Sequence, residues 1–255
     1  MTVQYRRWAV VLASGMAVLM VCAQVGFGAG KRRARRTPYR PVPLEQTGTI
    51  EVDVVFEGAI PEAKKLAVTA KGSVCTHEAA FDETWVISSD RKVQHAVVGL
   101  AGITEGKPFP KDAKYTLDQR GCVFVPHVVV VPLRKDLTIL NSDGIMHNVH
   151  TRSMLNRELN KAMPGRTKQM VVSFRRAERF LVQCDVHKWM AAWIVVARNP
   201  YYAATDKKGQ VRLEDVPVGT HTITLWHEAA GLQEQQVTVK KDEVTKVRLV
   251  LRAKK

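Results

Sequence analysis

This sequence predicts an all-β fold, and three observations carry that expectation. Ile50, Val52, Val54 and Phe56 alternate with Thr49, Glu51 and Asp53, the period of two that belongs to a half-buried strand. Further short runs rich in Val and Ile lie at 84–88, 93–100, 123–132, 136–141, 169–174, 179–184 and 191–197. They are separated by Gly, Pro, Asn or Asp, which punctuate strands. Only 154–163, ended by Pro164-Gly165, suits a short helix, so the elements favour an antiparallel sandwich.

Taken in order, residues 1–30 are expected to be a targeting segment. Arg6 and Arg7 precede an uncharged run from Trp8 to Phe27, the layout of an export signal. Val21-Cys22-Ala23 and Gly28-Ala29-Gly30 are the small-residue cleavage patterns. Left uncleaved, 8–27 is long enough to serve as a membrane anchor helix. Arg6-Arg7-Trp8 resembles the twin-arginine start of signals that export folded proteins. Residues 31–47 are basic and hold Pro38, Pro41 and Pro43, which describes an extended linker. The formal net charge is +15, of which Arg6, Arg7 and six cations within 31–40 carry eight, leaving +7 for 41–255. An exported chain whose basic run has no interleaved aromatics is not expected to bind nucleic acid.

Two β units are expected to follow, 48–198 and 199–255. In the second, Asp206-Lys207-Lys208-Gly209 and Val216-Pro217-Val218-Gly219 are turn signals. They stand among the strand-like pieces Val211 and Leu213, 222–226, 236–239 and 244–251. Through its Asp-x-x-Gly and Val-Pro-x-Gly turns the unit resembles the small transthyretin-like, carboxypeptidase-regulatory type of β-sandwich. It is short for such a domain, so the strand at 193–197 is expected to be shared between the two units.

The chemistry is concentrated in two segments. Gln183-Cys184-Asp185-Val186-His187-Lys188-Trp189-Met190 places a thiol, an imidazole and a thioether within seven residues. Met146-His147-Asn148-Val149-His150 supplies a second imidazole 37 residues before the thiol. A thiolate, two neutral imidazoles and a weak axial Met are the ligand set of a blue-copper electron-transfer site. The cysteine count agrees. Without the signal, Cys75, Cys122 and Cys184 remain, and in an oxidising compartment an odd thiol needs an explanation. A Cys75–Cys122 disulfide leaves Cys184 free beside His187 as a metal thiolate. On an extended strand His150 faces away from His147, His127 begins an apolar strand as a structural histidine, and His77, His95, His221 and His227 have no second ligand at recognisable spacing.

Asn141, His147-Asn148, Cys184, His187 and Met190 together resemble the pattern of the cupredoxins, the family of plastocyanin and pseudoazurin, over residues 125–198. The resemblance implies a Greek-key β-sandwich and one copper ion held by His147, Cys184, His187 and Met190. It also implies that Asn148 steadies the copper loop by hydrogen bonding. One feature departs from the pattern: only two residues separate His187 from Met190, fewer than in plastocyanin-like proteins, so the axial place is the least secured. The short loop resembles the binuclear copper domain of cytochrome oxidase, but that site needs two cysteines and only Cys184 is present.

The expected function is therefore that of an exported, periplasmic or cell-surface, mononuclear type 1-like copper protein. It would transfer single electrons to or from a redox partner, an acidic one by charge complementarity, with Lys188 and Trp189 in the docking surface. Membrane contact is expected only through 8–27. The chain is not expected to be an enzyme. Gln183 and Asp185 stand where a multicopper oxidase has His-Cys-His, and no hydrolase motif or phosphate loop occurs. Two alternatives are a copper carrier or storage protein, which favours exposed Met and His clusters, and a metal-free scaffold or adhesion module, which leaves the ligand pattern unexplained.

Overall fold

The structure, a computed structural model, describes residues 37–68, 74–75 and 81–253. The signal or anchor segment at 1–30, linker residues 31–36 and His77 lie outside the described residues. The fold is all-β. Among the described residues there is no helix, hence none long and apolar enough to cross a membrane, and the strands build two sandwiches.

The first sandwich carries the ligand segments. One sheet runs, in spatial order, Asn160–Met163, His147–Thr151, Arg179–Gln183, Ala191–Ala197 and Val128–Pro132. The facing sheet runs Gln169–Ser173, Asp136–Asn141, Tyr115–Arg120 and Val123–Val125. Inward residues of both sheets, among them Leu117, Ile139, Val149, Phe180, Val182 and Ile194, form one core that also takes in Cys184 and Met190. Ala191–Ala197 pairs in parallel with Val128–Pro132, and Tyr115–Arg120 with Asp136–Asn141. Parallel neighbours need crossovers between sheets. His147–Thr151 and Arg179–Gln183 are antiparallel neighbours, Gln183 opposite His150, which sets the start of the first beside the end of the second.

The second sandwich corrects the expected division at residue 199. Thr47–Phe56 pairs with Gln210–Pro217 and, in parallel, with Val244–Leu251. Val97–Ala101 pairs with Gly219–His227 and Tyr202–Ala204. The early strands placed in 48–198 by sequence thus complete the C-terminal sandwich, whose core joins Ile50, Val52, Val54 and Phe56 to Val98, Leu100, Ile223, Leu225 and Leu249. The physical reason is the shortage seen in the sequence: 199–255 alone has too few strands to cover its apolar face. Ala191–Ala197 is not the shared strand, since it pairs only within the first sandwich.

Two further differences have local causes. The expected helix at 154–163 is an irregular loop followed by the strand Asn160–Met163. Glu178 accepts hydrogen bonds from the backbone N–H groups of Met154, Leu155 and Asn156, which fixes the loop in a non-helical course. The run 123–132 is divided at Pro126, which has no backbone N–H to pair, into Val123–Val125 and Val128–Pro132. The linker also ends earlier than 47, because Arg40–Pro41 pairs with Glu105–Gly106 and Tyr39 donates its hydroxyl to the Lys107 carbonyl.

Candidate metal centre

The backbone aims the side chains of the pocket. Arg179–Gln183 delivers Cys184 at its end, and the turn that follows is closed by Cys184 N–H to the Met190 carbonyl at 3.2 Å and Met190 N–H to the His187 carbonyl at 2.9 Å. His147 begins the neighbouring strand and lies opposite Met163. The loop before it turns at Gly144, whose φ of 69° favours glycine. It is seated on Gly165, where a Cβ would fall 1.9 Å from the Gly144 carbonyl oxygen. Strand end, tight turn and seated loop therefore converge at one rim of the sandwich.

The side chains converge as well. Nδ1 of His147 lies 2.9 Å from Nδ1 of His187. Cys184 Sγ is 4.0 Å from the first and 3.9 Å from the second. Exposure is 0% for His147, 2% for Cys184 and 7% for His187, so water is excluded from three groups that offer lone pairs to one point. The ligand atoms all lie within 4.8 Å of one another. That spacing fits a single ion of the size that soft sulfur and imidazole donors select.

Electrostatics prepare the set. Burial alone pushes the Cys184 thiol up, but His147 and the N–H groups of Asn148, His187 and Val186 outweigh it and hold the thiol below its ordinary value. Burial also opposes charge on His147, yet Cys184 and Asp143 raise it above the usual imidazole value. His187 is held low by burial and by the neighbouring His147.

Asn148 joins the two ligand-bearing segments. Its Oδ1 accepts the Asp185 N–H, and its Nδ2 donates to Asp185 Oδ2 at 2.9 Å. It thereby ties the His147 strand to the Cys184 turn. Met190 is fully buried in the same core as Cys184. His150 turns to the polar side, between Asp185 and Glu158. Cys184 is the one free cysteine among the described residues, and Cys75 and Cys122 form the disulfide.

Two placements were not legible from sequence. Asp143 accepts from Nε2 of His147 at 2.9 Å and from the Cys122 N–H at 2.8 Å, and it also accepts the Gly121 N–H. A carboxylate on the outer nitrogen of a ligand imidazole fixes its tautomer and frees Nδ1. The Asn141-Ser142-Asp143-Gly144 turn was the available signal. Trp189 is half-buried: its Nε1 donates to the Cys122 carbonyl at 2.9 Å and its ring stands 5.1 Å from that of His187. Lys188 remains exposed.

No family model matches the chain, and no curated protein does. Among solved structures, a copper-containing nitrite reductase from Thermus scotoductus SA-01 is similar at 16% identity and a TM-score of 0.32, over 35% of this chain. This chain spans 24% of that reductase's length. An amicyanin variant in its Cu(I) form is similar at 19% identity and a TM-score of 0.31, over 34% of this chain and 86% of its own. A purple cupredoxin from Nitrosopumilus maritimus is similar at 14% identity and a TM-score of 0.29, over 33% of this chain and all of its own. Each likeness thus concerns about a third of the chain.

Proposed function

We propose that this protein binds one copper ion through His147, Cys184 and His187, with Met190 as the weak fourth ligand, and works as a one-electron carrier. The observation that carries the reading is the buried convergence of a thiol and two Nδ1 atoms within 4.8 Å. Copper would supply a couple that changes oxidation state by one electron. The chain supplies the rest. Asp143 sets the His147 tautomer, Asn148 and Asp185 lock the two segments together, and N–H groups of Asn148 and His187 point at Cys184 Sγ from 3.5 and 3.4 Å. A donor set held this firmly rearranges little when charge changes, which is the requirement for fast electron exchange.

The partner is a separate part of the proposal. Val186 and Met146, both about half exposed, flank the ligands, and Lys188 is exposed beside them. An acidic redox protein meeting this rim in an exported compartment suits the surplus of +7 over residues 41–255. No hydrolytic or oxidase chemistry is proposed.

The test is addition of one equivalent of Cu(II) to the purified protein and to Cys184→Ala, followed by visible and EPR spectroscopy. An intense thiolate-to-copper band with small hyperfine splitting, lost in the variant, is the expected result. Wild-type protein that takes up no copper, or a spectrum indifferent to Cys184, would overturn the reading.

A further inference from the structure

The outer face of His187 is turned toward sulfur. Its Nε2 lies 3.9 Å from Sγ of Cys75, whose disulfide partner is Cys122. Donor atoms of Cys75, Cys122 and His187 fall within 4.8 Å of one another, and all three residues are buried. An imidazole that serves one ligand cluster with Nδ1 thus presents its other nitrogen to a second, sulfur-rich cluster.

We propose that Cys75, Cys122 and His187 form a second site, for copper(I), when the disulfide is opened to two thiols. Two sulfurs and one imidazole nitrogen are a soft donor set of low coordination number, the preference of a monovalent copper ion. The opening step balances simply. The S–S bond breaks and accepts two electrons and two protons from an external dithiol, which closes to its own disulfide. Metal binding then releases the thiol protons.

Half of this site keeps its place without the disulfide. Cys122 is pinned by Asp143, which accepts its N–H, and by Trp189, which donates to its carbonyl. Its φ of 56° is left-handed for a residue with a Cβ, so these contacts hold a turn that would otherwise relax. Cys122 therefore stays against His187 while Cys75 gains freedom.

The sharing of His187 imposes an order. A neutral imidazole has one lone pair for a metal, so His187 serves the Cys75–Cys122 side through Nε2 or the Cys184 side through Nδ1. Reoxidation by a disulfide acceptor removes the outer sulfurs as ligands and leaves His187 to the inner cluster. The outer site is then a reducing-state loading position. The choice of copper rests on the reading proposed above; the donor set itself does not need Cys184.

The experiment uses the full chain carrying Cys22→Ser and Cys184→Ser, which removes the signal-segment thiol and the thiolate of the inner cluster. It is reduced anaerobically with a phosphine, freed of reductant and titrated with Cu(I) against a colorimetric Cu(I) chelator. One copper per chain held by the reduced form, and none by the oxidised form, is expected. Adding Cys75→Ser should weaken retention about tenfold or more. Equal retention by oxidised and reduced protein, or indifference to Cys75, overturns the site. A second readout keeps the test open where Cys75→Ser does not fold. Cu(I) should protect both cysteines of the reduced chain from alkylation, read by mass, and equal alkylation with and without Cu(I) overturns the proposal. Failure of the inner site shows separately, as loss of the Cys184-dependent spectrum in the unsubstituted protein.

Discussion

Two places in this molecule gather histidines, and they are built on opposite principles. In the pocket, His147 and His187 turn Nδ1 atoms toward each other at 2.9 Å and toward the Cys184 thiol. At the seam where the two sandwiches meet, His95, His127 and His227 are also buried, but among the described residues they belong to no group of three donor atoms within 4.8 Å. His127 Nε2 is hydrogen-bonded to Glu228, its Nδ1 lies 4.0 Å from Glu83, and Trp193 donates to Glu228 at 2.8 Å. His227 stacks on Trp85 with centroids 4.0 Å apart and accepts the Ala229 N–H on Nδ1. The pocket brings three donor atoms to one point, whereas the seam pairs His127 with Glu228 and leaves Nε2 of His95 and of His227 apart, each without a hydrogen-bond partner among the described residues. Counting buried histidines would rank the seam first. Asking where donor atoms converge selects the pocket.

Removing the thiolate should hurt the pocket most. Cys184→Ala should abolish the thiolate-to-copper band and weaken copper retention by more than about a hundredfold, beyond what loss of a supporting group costs. Its thermal midpoint without metal should move much less, because the seam is untouched. Metal uptake that survives intact would mean that the seam, or some other cluster, is the true centre.

The converse change is Glu228→Gln. Burial opposes the charge on His127, but the Glu228 hydrogen bond and charge, Glu83 and the Ala191 carbonyl outweigh it and raise His127 above its ordinary value. Glu228, for its part, is opposed by burial and lowered by His127 and Trp193. Breaking a buried pair by removing one partner costs about 3 kcal/mol or more. Denaturant unfolding of Glu228→Gln should show that loss, while the copper spectrum stays as in wild type. A changed spectrum with unchanged stability would reverse the roles assigned to the two regions.

Acid separates the seam histidines further. Burial, with His127 and His95 nearby, pushes His227 down to about 4. A histidine depressed in the folded state stabilises the fold above its unfolded value and loses that contribution as pH falls toward the folded one. Between pH 6.5 and 4 the loss should reach about 3 kcal/mol. His127 runs the other way. Its raised value contributes stability fully present below the unfolded value and lost as pH climbs through the folded one. Stability measured against pH should therefore peak between the two effects. His227→Phe keeps an aromatic ring on Trp85 and should flatten the acid limb; an unaltered slope would show that the titrating group lies elsewhere.

How much of this was readable beforehand depends on chain separation. Cys184 and His187 announce themselves because ligands three residues apart on one turn leave a local pattern, and His147-Asn148 after a strand and an Asn-Ser-Asp-Gly turn does the same. The alternation at Ile50 to Phe56 predicted a strand correctly but not its partners. Strand pairing with 210–217 and 244–251 is decided by the core that closes, which no window of sequence contains. The seam was illegible for the same reason: His95, His127 and His227 come from different strand ends, and each looks solitary in its own segment. The helix expected at 154–163 failed because Glu178, more than a turn beyond it, captures its N–H groups.

Asp143 gives the finest test of the comparison, because among the described residues it is the one carboxylate hydrogen-bonded to a pocket histidine. Its Oδ2 accepts from Nε2 of His147 at 2.9 Å and from the Cys122 N–H at 2.8 Å. At the seam a carboxylate on an imidazole makes a charge pair. In the pocket the same contact should work by orientation, holding the proton on Nε2 so that Nδ1 stays available. Asp143→Asn keeps the size and an acceptor oxygen but weakens the hold, and supporting groups of this kind are worth about 10- to 100-fold in metal affinity. Copper retention by Asp143→Asn should fall within that range with the band position nearly kept, and Asp143→Ala should fall further. Equal, negligible effects of both would mean that His147 is oriented by its strand alone. A collapse of stability with no effect on retention would make Asp143 a buried charge partner of the seam type, and the distinction between the two regions would dissolve.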